Sequence, residues 1–60
     1  MKVGDKVVIL ARKGTGDTHA YGKVIRIIWN VDVPYASVSV NYGKRTEVEI
    51  YPINKLEVVC

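Results

Sequence analysis

The chain has one cysteine, one histidine and one tryptophan in 60 residues, and each scarcity closes off a kind of chemistry. Cys60 has no partner for an intrachain disulfide. His19 has no second histidine or cysteine at ligand spacing, so a zinc site, and with it any metal role, is not expected. Two leucines and three alanines are too few to build helices. No window of eleven or more residues carries a 3.6-residue apolar stripe free of Gly and Pro, so helix should be limited to one turn. The longest apolar runs, Val7 to Ala11 and Ile27 to Trp29, fall far short of the roughly 18 residues that span a bilayer. Met1 to Asp5 lacks the apolar centre of a secretion signal, which makes the cytoplasm the expected location.

What is abundant is valine and isoleucine, 17 residues together. Their branched Cβ is stiff at χ1 and suits a pleated sheet. A chain of this length buries only about 60% of its unfolded surface, so it makes one domain, residues 1–60, with one core. Read for period two, it gives five strands: Asp5 to Ala11, Tyr21 to Trp29, Ala36 to Tyr42, Thr46 to Tyr51 and Leu56 to Val59. Arg12 to His19 forms a polar, Gly-broken loop after the first strand, and Asn30 to Pro34 interrupts the second. In the third, Ala36, Val38, Val40 and Tyr42 face inward, while Ser37, Ser39 and Asn41 face water. Asn41 to Arg45 should close a hairpin onto a fourth strand with Val48 and Ile50 inward and Glu47, Glu49 and Tyr51 outward. Pro52 to Lys55 fits one 3₁₀ turn before the last strand. The expectation is all-β: a five-stranded SH3-like barrel with a short 3₁₀ turn, since curling buries the most apolar surface and removes open edges.

Three stretches resemble parts of SH3-like barrels. Gly4-Asp5-Lys6-Val7-Val8-Ile9, with Gly22-Lys23-Val24 downstream, is similar to the KOW motif of ribosomal and transcription-elongation proteins, which implies basic loops offered to RNA. From Val3 to Val59 the chain resembles the plasmid-borne type II dihydrofolate reductases, through Gly4-Asp5, Val7, Gly22, Val48-Glu49-Ile50-Tyr51-Pro52 and Leu56-Glu57. In that family a Val-Gln-Ile-Tyr strand from each of four protomers lines a central pore, so the resemblance implies a pore strand of Val48, Glu49, Ile50 and Tyr51. Glu49 stands at the Gln position and Ile9 where the family has a lysine, which implies kinship of fold rather than shared activity. Gly4 to Leu10 and Asn54 to Glu57 are also similar to a small accessory protein of photosystem I, a docking barrel without chemistry of its own.

No residue set assembles a catalytic centre or a cofactor loop. Ser37 and Ser39 lie mid-strand without the elbow a nucleophile needs, and His19 reads as a solvated loop residue. Gly43-Lys44-Arg45-Thr46 reads as a hairpin turn, and Gly14-Thr15-Gly16-Asp17 has no helix after it to bind a dinucleotide. Charge is more informative. Nine Lys and Arg against six Asp and Glu give net +3, with Arg12, Lys13, Lys23, Arg26, Lys44 and Arg45 in or near the loops and second strand. This predicts a non-enzymatic binding module whose loop rim, Arg12, Lys13, Trp29, Tyr35, Lys44 and Arg45, meets nucleic acid or an acidic protein surface. Alternation also turns Val8, Leu10 and either Ile25 or Ile28 outward, a row that predicts a homo-oligomer, or alternatively a structural subunit that assembles through this aliphatic face, unless a bulge turns some of them in.

Overall fold

Valine and isoleucine at alternate positions produce strands wherever turn residues do not intervene. In the computed structural model, which describes residues 1–29 and 32–59, these are β1 (Lys6–Ile9), β2 (Tyr21–Ile28), β3 (Tyr35–Asn41), β4 (Thr46–Pro52) and β5 (Leu56–Val58). They form one antiparallel sheet ordered β4-β3-β2-β1-β5. The single 3₁₀ turn, Ile53–Lys55, precedes β5, and the described residues contain no α-helix. The ladder does not close between β4 and β5, which remain the two edges of the sheet. Asn30 and Val31 of the expected interruption, and Cys60, lie outside the described residues.

The core is Val7, Ile9, Val24, Ala36, Val38, Val40 and Leu56, with Ile27, Tyr42, Tyr51 and Ile53 packed against it. Strand β3 alternates as expected on its inner side. Strand β2 keeps its inward set through a bulge between Val24 and Arg26. The extra residue, Ile25, resets the period so that Val24 and Ile27 both reach the core while Arg26 stays in water. Gly22 is required where β2 crosses β3: a Cβ there would lie 2.3 Å from Val38 Cγ1 and 2.8 Å from the Ser39 carbonyl oxygen. The β3–β4 hairpin closes through the Tyr42 amide donating to the Arg45 carbonyl (2.8 Å) and the Gly43 amide donating to Asn41 Oδ1 (2.8 Å), with Gly43 at φ +92°.

Several orientations differ from those the sequence suggests. In β4 the faces are exchanged: Val48 and Ile50 are 58% and 57% exposed, and Glu49 and Tyr51 lie on the core side. Cross-strand partners share a face, and the hairpin pairs Glu49 with Val38 and Tyr51 with Ala36. Val8 does not form an exposed row with Leu10 and Ile25. It is 1% exposed, flanked across the strands by the larger Tyr21 and Glu57, whereas Leu10 and Ile25 are exposed. Ser37, expected in water, is buried between cross-strand neighbours Arg26 and Ile50. Tyr35 is the half-buried first residue of β3, opposite Ile28 and Pro52, and not a loop residue.

Candidate functional site

Strand β1 stops at Ile9 because the chain turns there: the amides of Arg12 and Lys13 both donate to the Ile9 carbonyl (2.9 and 3.1 Å). This turn aims Arg12 back across the core side of the sheet. Its Nη1 donates to the His19 carbonyl (3.0 Å) and to the Tyr42 hydroxyl (3.1 Å), and Nη2 donates to Glu49 Oε1 (3.0 Å). The Tyr42 and Tyr51 hydroxyls also donate to the Glu49 carboxylate. One carboxylate therefore receives three donors from the loop, β4 and the residue after β3. Burial pushes the Glu49 carboxyl up, but the two hydroxyls and the guanidinium outweigh it and hold the group below the usual carboxylate range. The hydrogen bond to Glu49 raises the Tyr42 phenol; burial and then the same carboxylate raise that of Tyr51. The hydrogen bond that Arg12 donates to the Tyr42 hydroxyl leads the causes that raise the guanidinium.

The same contacts order the loop before β2. Thr15 Oγ1 donates to the Arg12 carbonyl (2.7 Å), the His19 amide donates to Asp17 Oδ1 (2.7 Å), and Arg12 Nε lies 3.9 Å from Asp17 Oδ2. His19 is half-buried, its ring 5.0 Å from that of Tyr42, and its Nδ1 donates to the Asn41 carbonyl (3.3 Å). It is thus a packing residue between loop and hairpin. Among the described residues no group of three His, Cys, Asp or Glu is placed to hold a metal ion.

This arrangement redistributes the cations of the expected rim. Arg12 is turned inward onto Glu49; Lys13 meets Glu57 (3.3 Å) and Arg45 meets Glu47 (3.6 Å). Lys44 is exposed in the hairpin turn, and Trp29, 77% exposed, follows the end of β2. Among the described residues no side-chain hydrogen bond, ion pair or cation–π contact joins one of these six rim residues to another. The four residues of the supposed pore strand divide between the two sides of β4, with Glu49 held by its three donors.

A different cationic surface lies on the outer side of the sheet. Lys6 and Lys23 each precede a core valine, so both side chains leave the opposite face, and the register places them directly opposite each other on β1 and β2. Like charges in that position destabilise a sheet. Neither ammonium takes part in any ion pair among the described residues, and neighbouring Asp5 turns its carboxylate to the Lys2 amide (3.0 Å). Lys6 Nζ sits 5.3 Å from the centre of the Tyr21 ring, and Tyr21 is half exposed. Lys6, Tyr21, Lys23, Ser39, Asn41 and Thr46 line an open groove of about 590 Å³ that contains no acidic side chain. Lys23 belongs to the cationic set legible in the sequence, but Lys6 falls outside it. The signal that finds it is parity, since a lysine immediately before a buried valine on each of two paired strands must share one outer face. No family model, curated protein or solved structure matches this chain.

Proposed function

We propose that this domain is a non-enzymatic nucleic-acid-binding module that uses the outer face of its sheet, not its loop rim, as the contact surface. The observation that carries this reading is the opposed Lys6–Lys23 pair, in no ion pair among the described residues, beside an exposed tyrosine in a groove lined by no carboxylate. Two cations held together at a cost to the sheet are relieved by an anion with repeated charge, and phosphates meet both. The half-buried carboxylate that a hydrolytic enzyme could have used, Glu49, is already saturated with donors. An SH3-like barrel is the fold this reading favours. The 3₁₀ turn that returns β5 to the far side of β1, and the bulge that bends β2, both support it.

Fluorescence anisotropy with labelled oligonucleotides, begun at low ionic strength, tests the proposal. Binding should weaken steeply with salt, and Lys6→Ala and Lys23→Ala should each flatten the salt slope by about 0.7 to 0.9. Lys44→Ala should change it little. Binding that is absent or indifferent to salt removes the proposal.

Self-association is a second reading, moved from the expected Val8, Leu10 and Ile25 row to β4. Val48 and Ile50 are exposed two residues apart on an edge strand, which is the kind of surface a second copy covers. A homotetrameric pore enzyme like the type II reductases has less support, because Glu49 would first have to leave Arg12, Tyr42 and Tyr51.

A further inference from the structure

Resting on the nucleic-acid reading, we infer that the groove takes a single strand, with one base stacked on Tyr21 and an adjoining phosphate between Lys6 and Lys23. Tyr21 and Lys23 lie two residues apart on β2. They are therefore about 7 Å apart along one face, a separation matching the reach from a base to a neighbouring phosphate. The groove crosses β1, β2, β3 and β4, about 14 Å at the usual strand spacing. That gives room for one strand with its bases turned toward the sheet.

The aromatic is what separates a single strand from a duplex. A duplex hides the faces of its bases within its own stack and offers a flat protein surface only phosphates and sugars. An exposed ring adds nothing to such contacts, but it gives an unpaired base a stacking partner. Lys6 Nζ over the Tyr21 ring shows that this ring accepts a close neighbour on its face. When a base takes that place, the ammonium is free to follow the phosphate. Ser39, Asn41 and Thr46 complete the groove with groups that hydrogen-bond sugar and base edges without demanding one sequence.

The experiment compares a labelled oligothymidylate with a hairpin duplex of equal phosphate count, using the whole chain at fixed low salt. The single strand should bind more tightly. Tyr21→Ala should weaken that binding roughly 5- to 150-fold, equivalent to one stacked base at about 1–3 kcal/mol, and should leave the salt slope unchanged. Tyr21→Phe should bind as the parent does. Tyr21→Leu keeps apolar bulk beside Val8 and serves if the alanine variant fails to fold; it should lose affinity as alanine does. Ring protons of Tyr21 should shift upfield on titration with the oligothymidylate. If duplex binds equally and the Tyr21 variants are neutral while Lys6→Ala and Lys23→Ala still flatten the slope, this inference falls and nucleic-acid binding stands. If neither form binds and polyglutamate does, both fall and the surface belongs to an acidic protein.

Discussion

Replacing Glu49 by Gln keeps the side chain's shape while removing its charge, and the consequences follow from its three donors. The amide offers one acceptor oxygen and directs its NH₂ group at hydrogens that formerly met the second carboxylate oxygen. Hydrogen bonds to a charged group contribute roughly 1.5–3 kcal/mol, and removing one member of a fully buried pair costs about 3–5 kcal/mol. The Glu49 and Arg12 side chains are 21% and 27% exposed, so water screens both, and a loss of about 2 kcal/mol is expected. In a domain this small, that lowers Tm by about 8–16 °C. The pH dependence has a definite sign. Burial raises the Glu49 carboxyl, but Tyr42, Tyr51 and Arg12 bring it below its ordinary value. The stabilisation is therefore fully present above the unfolded value of about 4.3 and lost as pH falls through the lower folded value. Parent and variant melting curves should differ most near neutrality and converge in acid. Tyr42 and Tyr51 move the opposite way, so their part is complete below about pH 10 and lost as pH rises through their raised folded values. Thermal denaturation followed by circular dichroism between pH 2 and 8 measures this. A difference under about 0.5 kcal/mol at neutral pH, or one that persists undiminished near pH 2, would refute the network's role.

Gly22→Ala forces a methyl group against Val38 and the Ser39 carbonyl; urea titration should show a loss of at least about 1–3 kcal/mol, and an unchanged midpoint would mean that β2 and β3 separate without cost. Ile9→Ala empties part of the core and should cost about 2–5 kcal/mol, whereas Ile25→Ala, at the exposed bulge residue, should cost less than about 1 kcal/mol by the same titration. Val48→Lys with Ile50→Lys should leave the melting temperature near that of the parent and abolish any dimer seen by sedimentation equilibrium; a dimer that survives assigns self-association to another face.

The strand pattern was readable where one residue type had one place to go. Ala36, Val38, Val40 and Tyr42 alternate with polar residues, and the hairpin turn that follows has Gly43 where a positive φ is needed, so β3 and its turn could be read directly. The fourth strand could not be, because Val48 and Ile50 alternate with Glu47, Glu49 and Tyr51 and either face can be the inner one by hydropathy alone. What decides it is tertiary: the hairpin register sets Glu49 beside Val38, and Arg12 arrives from 37 residues earlier to neutralise it. That partnership also turns Arg12 toward Glu49, which a list of cations in loops does not show. Val8 shows the same limit, since its burial depends on Tyr21 and Glu57 lying on either side of it, which follows from strand order and not from the sequence around position 8.

The electrostatic arrangement then becomes consistent. Asp17, Glu47, Glu49 and Glu57 are each matched to a cation from the first loop or the hairpin turn, and among the described residues the opposed Lys6 and Lys23 of the outer face take part in no ion pair. Even at a roughly 4 Å approach two unit charges in water repel by only about 1 kcal/mol, a penalty a small sheet tolerates while the groove stays open to solvent. Covering the groove with an apolar partner lowers the local dielectric and multiplies that repulsion, so such a partner is disfavoured. A polyanion reverses the balance, because each phosphate attracts both lysines and the same loss of water strengthens the attraction. Mutating either lysine to glutamate should therefore stabilise the free domain slightly by forming a cross-strand ion pair, while abolishing oligonucleotide binding. A variant that gains stability and still binds would show that the opposed lysines are not the contact.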